Sequence, residues 1–172
     1  ISLIIWILAM LQPVFIAGIG QLPVKRKYDE SLRSLGARAV KAALADAGLE
    51  RVGALYLGNM LADELQSQKH VAALVADEAG LAGVEALQVR AATATGAAAL
   101  RMAYLAVASG IMQSAIAVGV EKMSDHSPTP ALAKALDAHY EVTDGATMVS
   151  LNARLMWQYK EAYRVPFDAF AN

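Results

Sequence analysis

ALQVRAATATGAAALRMAYLAVASGIMQSAIAVGVEKMSD, residues Ala86 to Asp125, is the stretch whose reading decides the fold. The apolar run Ala86 to Val89 meets a turn of small residues, Ala91 to Gly96. A helix with almost no polar face follows, and Ser109-Gly110 stops it. A second apolar run, Ala115 to Val120, ends in Glu121-Lys122-Met123. Strand, tight elbow, buried helix and strand make a crossover unit, the connection that parallel strands require. Its elbow sets Thr93 beside a helix N-terminus, where a reactive group is expected.

The helix from Gly96 to Ser109 is interrupted only by Arg101 and Tyr104. A helix apolar all round is buried on every side or lies in a membrane, and this one is too short to span. One sheet covers one side. A second layer is required on the other, which this chain need not contain.

Working outward, Ala54 to Met60 reads as a second apolar strand leaving through Gly58-Asn59. Ser31 to Ala47 reads as a helix with the stripe Leu32, Leu35, Ala39, Ala42 and Ala43, closed by Gly48. Another helix is expected from Leu65 to Ala79, ended by Gly80. Its His70 has no His or Asp at metal spacing and reads as a surface or interface residue. Pro13 to Gly20 (PVFIAGIG) has the β-branched and aromatic character of a buried parallel strand entering a glycine turn. Strands and helices thus alternate, which predicts an α/β sheet covered on both faces. The run Gly18-Ile19-Gly20-Gln21-Leu22-Pro23 fails the dinucleotide fingerprint. Pro23 replaces the third glycine, and a charged loop stands where a helix should begin.

Residues 1–11 are expected to be an apolar extension, from upstream read-through or disorder, with the natural start at Met10. A signal or anchor and a genuine extra element are the other readings. Pro13 and the glycine pair interrupt the run, no basic residue precedes it, and no small-residue cleavage site is evident. Residues 12–125 are expected to form the α/β core. Residues 126–172 are expected to form a helical loop region or lid, with a short helix near Ala131 to Ala138. A longer one from Gly145 to Tyr163 carries Met148, Leu151, Leu155, Tyr159 and Tyr163 on one face.

The chain has 15 basic and 16 acidic residues, so there is no electrostatic footprint for nucleic acid. Lys25-Arg26-Lys27 reads as a solvated loop. There is no cysteine, which rules out disulfides, thiolate metal sites and a cysteine nucleophile. Ser124, Asp125 and His126 hold the letters of a hydrolase triad but are consecutive, whereas triads converge from separate elements. Thr93 is different because of its place. Backbone N–H groups at a helix N-terminus stabilise an anion or developing oxyanion, and its small neighbours allow close approach. The alternative is that Thr93 or Thr95 is an N-cap.

Leu87 to Asp125, with Gly58-Asn59-Met60 and PVFIAGIG at Pro13 to Gly20, resembles the thiolase superfamily. The sterol-carrier-protein type and the acetyl-CoA acetyltransferases of archaeal type are the most similar groups, through AYLAVASG (Ala103 to Gly110) and AVGVEKMSD (Ala117 to Asp125). The resemblance covers residues 12–172. It implies the N-terminal half of the fold: a five-stranded mixed sheet of βαβαβαββ type with helices on both faces, a buried central helix and a helical loop region. It also implies acyl-CoA chemistry of lipid metabolism, Claisen condensation or thiolysis through an acyl-enzyme on cysteine. Coenzyme A thioester would be the substrate, with no bound cofactor and no metal. A homodimer or a complex with related subunits would be the assembly, in the cytoplasm and off the membrane.

Two departures limit the transfer. The family nucleophile lies in an A-A-C-A-S-G elbow, and its position here is Thr93, with Thr95 in place of the serine. A hydroxyl is a far weaker nucleophile than a thiol near neutral pH. A helix N-terminus contributes at most ~2 kcal/mol, roughly 1.5 pKa units, which cannot ionise an alcohol. The resemblance also assigns the catalytic histidine and second cysteine to a C-terminal half, expected to be absent from a truncated chain. The expected outcome is an inactive fragment of a thiolase-like acyltransferase. The alternative is a non-catalytic acyl-CoA-binding or partner subunit.

Overall fold

Residues 11–170 are described by the computed structural model, so the extension expected at residues 1–11 lies, Leu11 apart, outside the described residues. Two units follow one another along the chain, the first ending at His126 and the second beginning at Ser127.

The first unit is organised on one strand. β1 (Ala54–Gly58) pairs in parallel with β2 (Glu85–Val89) on one edge and with β3 (Ala115–Gly119) on the other. All five residues of β1 are buried, as a continuous apolar central strand demands. Its side chains alternate between two cores. Leu55 and Leu57 join Val40 and Leu44 of helix α1 (Leu32–Ala47) and Val71 and Val75 of helix α3 (Val71–Glu78). Ala54 and Tyr56 join Ala99 and Ala103 of helix α4 (Thr95–Ala108). Helices therefore cover both faces, α1 and α3 on one and α4 on the other.

α1 begins where Ser31 accepts a hydrogen bond from the Ser34 N–H at 3.1 Å and ends at Gly48 in a left-handed conformation. Its buried stripe holds Leu32, Leu35, Val40 and Leu44. The alanines Ala39, Ala42 and Ala43, expected on that stripe, are only partly buried.

Among the described residues the sheet has three strands, all parallel, which corrects the expected five-stranded mixed sheet. Pro13 to Gly20 is not one of its strands. Both edges of β1 are already taken, and the glycines seat this segment on α1 instead. A Cβ at Gly18 would lie 2.5 Å from the Ala47 nitrogen, and one at Gly20 would lie 2.5 Å from that of Ala43. Its Ile19 N–H donates to the Asp46 carboxylate, and the N–H of Gln12, just before the segment, donates to the Ala108 carbonyl, each at 2.8 Å. Phe15 is left 85% exposed.

The helix expected from Leu65 to Ala79 starts later, as α3 at Val71. A separate single turn, α2 (Ala62–Leu65), precedes it, and Ser67 and His70 in left-handed conformations lie between the two. His70 is exposed at the N-cap of α3 and forms no side-chain cap. That work falls to Gln88 of β2, whose side-chain oxygen accepts from the Val71 N–H at 2.9 Å.

In the second unit, α5 (Pro128–Ala133) starts with proline in its first turn. α6 (Met148–Tyr163) starts from a reciprocal cap between Thr147 and Ser150. No residue of α6 is buried. Tyr159, Tyr163, Phe167 and Phe170 form a small aromatic group, with ring centroids 4.6 to 6.5 Å apart.

Candidate functional site

In open parallel sheets the working crevice lies outside the carboxyl ends of the strands. Here those ends are Gly58, Val89 and Gly119, which are in register. Between β2 and α4 the chain turns in five residues, Arg90 to Ala94. Gly58 lets the turn come close, since a Cβ there would lie 3.0 Å from the Thr95 carbonyl oxygen.

The turn is held in a costly shape. Ala92 has φ +46°, in the left-handed region that L-residues avoid. Such a conformation costs about 1–3 kcal/mol and persists only where its surroundings over-determine it. Thr95, 7% exposed, supplies part of that constraint. Its hydroxyl donates to the Ala92 carbonyl at 2.6 Å and accepts from the Ala91 N–H at 2.9 Å. The backbone adds bonds from Ala94 N to Ala91 O and from Thr95 N to Ala92 O.

Of the two alternatives left open at Thr93, a cap is not what the structure contains. The N-cap of α4 is Ala94, which has no side chain to offer. Thr95 stitches the preceding turn. Thr93 is exposed, and its side chain makes no hydrogen bond among the described residues. The elbow thus displays the side chain at 93 next to a first helical turn that lacks a side-chain cap.

Two polar clasps at the same edge were invisible to sequence reasoning. Asn59, 1% exposed, donates to the Val120 carbonyl and to Glu121 Oε1, both at 2.9 Å, and accepts from Ala62 N at 2.9 Å. Glu121 also accepts from Met60 N at 2.9 Å and Leu61 N at 3.3 Å. The end of β3 is thereby tied to the end of β1 and the start of α2. The second clasp joins Asp63 of α2 to Arg90 at the mouth of the elbow, through contacts of 2.7 and 3.1 Å. The Arg90 guanidinium holds the Asp63 carboxyl below the usual carboxylate range, against the opposing effect of burial. The signal available in the sequence was a polar residue within two positions of the end of each strand: Asn59, Arg90 and Glu121.

The remaining candidates do not converge. Asp125 is paired with Lys122 at 2.8 Å and accepts from Gln66 at 3.0 Å, and Lys122 chiefly keeps its carboxyl below the ordinary range. Ser124 and His126 are exposed beside it. Among the described residues, no group of three or more His, Asp or Glu could hold a metal ion. The turn at Gly20 to Pro23 lines a cleft of about 620 Å³ beside the end of β3, and Thr93 is not part of that lining. No helix starts there before Leu32.

A parallel crossover unit, with an elbow that displays one side chain at the N-terminus of the following helix, defines the class: an α/β protein built on parallel strand–helix–strand crossovers. The chain belongs to the thiolase family: residues 14–162 match the model of the thiolase N-terminal domain. It is 39% identical over 156 residues to an acetyl-CoA acetyltransferase of Methanothermobacter thermautotrophicus, covering 89% of this chain and 41% of that protein. It is also 39% identical over 163 residues to an acetyl-CoA acetyltransferase of Methanocaldococcus jannaschii, covering 92% and 41%. The chain thus spans about two fifths of the length of these curated relatives. Among solved structures it is similar to 3-oxoacyl-[acyl-carrier-protein] synthase III from Aquifex aeolicus. That likeness has a TM-score of 0.50 and 27% identity, over 56% of this chain and 32% of that one. These findings support the thiolase-like α/β fold.

Proposed function

We propose that the chain forms the N-terminal half of a thiolase-like acyltransferase acting on acyl-CoA thioesters, with position 93 as the acyl-accepting position. The observation that carries the reading is the display of Thr93: an exposed, unbonded side chain, one residue beyond a left-handed alanine and beside the first turn of α4. In the reaction, a nucleophile at 93 attacks the thioester carbonyl, the helix N-terminus stabilises the oxyanion, and the coenzyme A thiolate departs.

Threonine is a poor occupant of this place. No base hydrogen-bonds its hydroxyl among the described residues, and the helix terminus cannot supply the missing acidity. The chain as it stands is therefore inactive in thiolysis. The same observation favours a second reading, a non-catalytic thiolase-like subunit that binds acyl-CoA or a related partner. Assembly as a homodimer or with related subunits, in the cytoplasm, belongs to either reading. The apolar outer face of α4, with Leu100 58% and Tyr104 46% exposed, supports such a partner. No described helix is long and apolar enough to cross a membrane.

Intact-mass analysis after incubation with acetyl-CoA tests the proposal. The unaltered chain should take up no acetyl group, and Thr93→Cys should take up one. Binding of acetyl-CoA without acylation of Thr93→Cys would favour the non-catalytic subunit. Thiolysis of acetoacetyl-CoA by the unaltered chain would overturn its inactivity.

A further inference from the structure

Arg90 opens the elbow and Asp63 lies on α2, and their pairing bears on the shape of the elbow. The downstream arm is fixed by the Thr95 hydroxyl, which grips Ala91 and Ala92. On the upstream arm, strand pairing ends at Val89, and Arg90 is anchored through its side chain. The guanidinium meets the carboxylate at two points, Nη2 to Oδ1 at 2.7 Å and Nη1 to Oδ2 at 3.1 Å, a fork geometry that fixes direction as well as distance. Asp63 can act as an anchor because α2 is itself tied down. Asn59 accepts from the Ala62 N–H, and Glu121 accepts from the Leu61 N–H. A line of hydrogen bonds runs from the end of β3 through α2 to the mouth of the elbow.

We infer that the Asp63–Arg90 pair is a positioning device for residue 93, holding the upstream arm so that the left-handed turn at Ala92 survives and the displayed side chain stays at the α4 N-terminus. The inference rests on the reading of position 93 as the acyl-accepting position. The two charges of the pair oppose one another at residue 93, so placement is the effect inferred, and removing one charge separates it from the field. This gives the test its sign.

The chain lacks cysteine, so Thr93→Cys carries a single thiol in the 172-residue protein. The pH profile of its alkylation by iodoacetamide reports how well the helix N-terminus holds it. An unperturbed thiol has its midpoint near ~8.5, and a thiol aligned with the helix should fall below that by up to roughly 1.5 units. In this background Asp63→Asn should raise the midpoint back toward ~8.5, and so should Arg90→Met. The exchanged pair, Asp63→Arg with Arg90→Asp, should recover the parent value. Arg90→Lys, which keeps the charge and loses the fork, should fall between. A direct effect of the Arg90 charge predicts the opposite sign for Asp63→Asn, because removing the carboxylate leaves an uncompensated cation. A lowered or unchanged midpoint in Asp63→Asn therefore overturns the inference. So does an ordinary midpoint in the Thr93→Cys parent, since nothing is then being held. If Asp63→Asn fails to fold, recovery by the exchanged pair and the intermediate value of Arg90→Lys decide. Alkylation needs no acyl transfer. A thiol that depends on Asp63 but is never acetylated would sink the functional reading and leave the clamp standing.

Discussion

The two faces of the sheet are finished differently. On the α1/α3 side, Leu55 and Leu57 meet valines and leucines, and the helices are joined outside by Arg33, which pairs with Asp77 at 2.6 Å and with Glu78 at 2.7 Å. That face has an inside and a polar outside. On the α4 side, the strand contributes Ala54 and Tyr56, the helix contributes Ala99 and Ala103, and Leu100 and Tyr104 stand exposed on the far side of the helix. The first layer ends in charged pairs, whereas the second ends in exposed apolar and aromatic side chains. The elbow opens onto the second.

The largest expected effect breaks the comparison if it fails. Leu57→Ala removes a fully buried side chain on the closed face and should cost about 2–5 kcal/mol in urea or thermal unfolding. A loss below ~1 kcal/mol would mean that the closed face is not the tighter one.

Tyr56 sharpens the contrast, because the inner lining of the α4 face is buried although its outside is open. Burial chiefly, with a hydrogen bond to Glu85, pushes its phenol up to about 12. The folded value exceeds the unfolded one near ~10. Its contribution should therefore be complete below ~10 and be lost as pH rises through about 12, on the order of 2 kcal/mol in all. Tyr56→Phe should remove this alkaline dependence. Unfolding curves that keep the same slope with pH in that variant would refute the assignment.

Gly36 probes the fit between α1 and α3. An added Cβ would lie 2.7 Å from Cγ2 of Val75, a stiff and fully buried neighbour. Overpacking of roughly 1–3 kcal/mol outweighs a helix-propensity gain of about 1. Gly36→Ala should thus be destabilising by about 1 kcal/mol, and a stabilised variant would show slack at this contact. The smallest effect is expected at Leu100, where replacement by Ser on the open face should change stability by no more than ~0.5 kcal/mol. The same replacement should reduce self-association in light scattering. A loss comparable to that of Leu57→Ala would mean that the α4 face is already covered.

Legibility in the sequence followed the range of the interactions. Apolar runs bounded by Gly58 and Ser109-Gly110 marked β1, α4 and β3 because local pattern governs such elements. PVFIAGIG misled for a physical reason. Its composition suits a strand, but Gly18 and Gly20 allow backbone-to-helix contact, and nothing local states which partner the segment takes. The expected helix from Leu65 to Ala79 failed at Ser67 and His70, whose left-handed conformations interrupt it. Histidine tolerates that region better than most residues, but composition alone does not say where it will be used. At the site, the elbow was legible because turn and helix start are contiguous. Asn59 with Glu121 and Asp63 with Arg90 bridge 62 and 27 residues, so only the fold brings them together.

The cap that Gln88 places on α3 has a consequence for autonomy. α3 has eight residues, its N-cap His70 offers no side-chain bond, and its first turn holds no acidic residue. Isolated helices shorter than ~12–15 residues are marginal in water. The donor at Val71 finds its acceptor 17 residues further along, on a strand that must itself be paired with β1. Excised as a peptide, this segment would lack the signal that starts it. α3 is a product of assembly, with no independent existence as a building block.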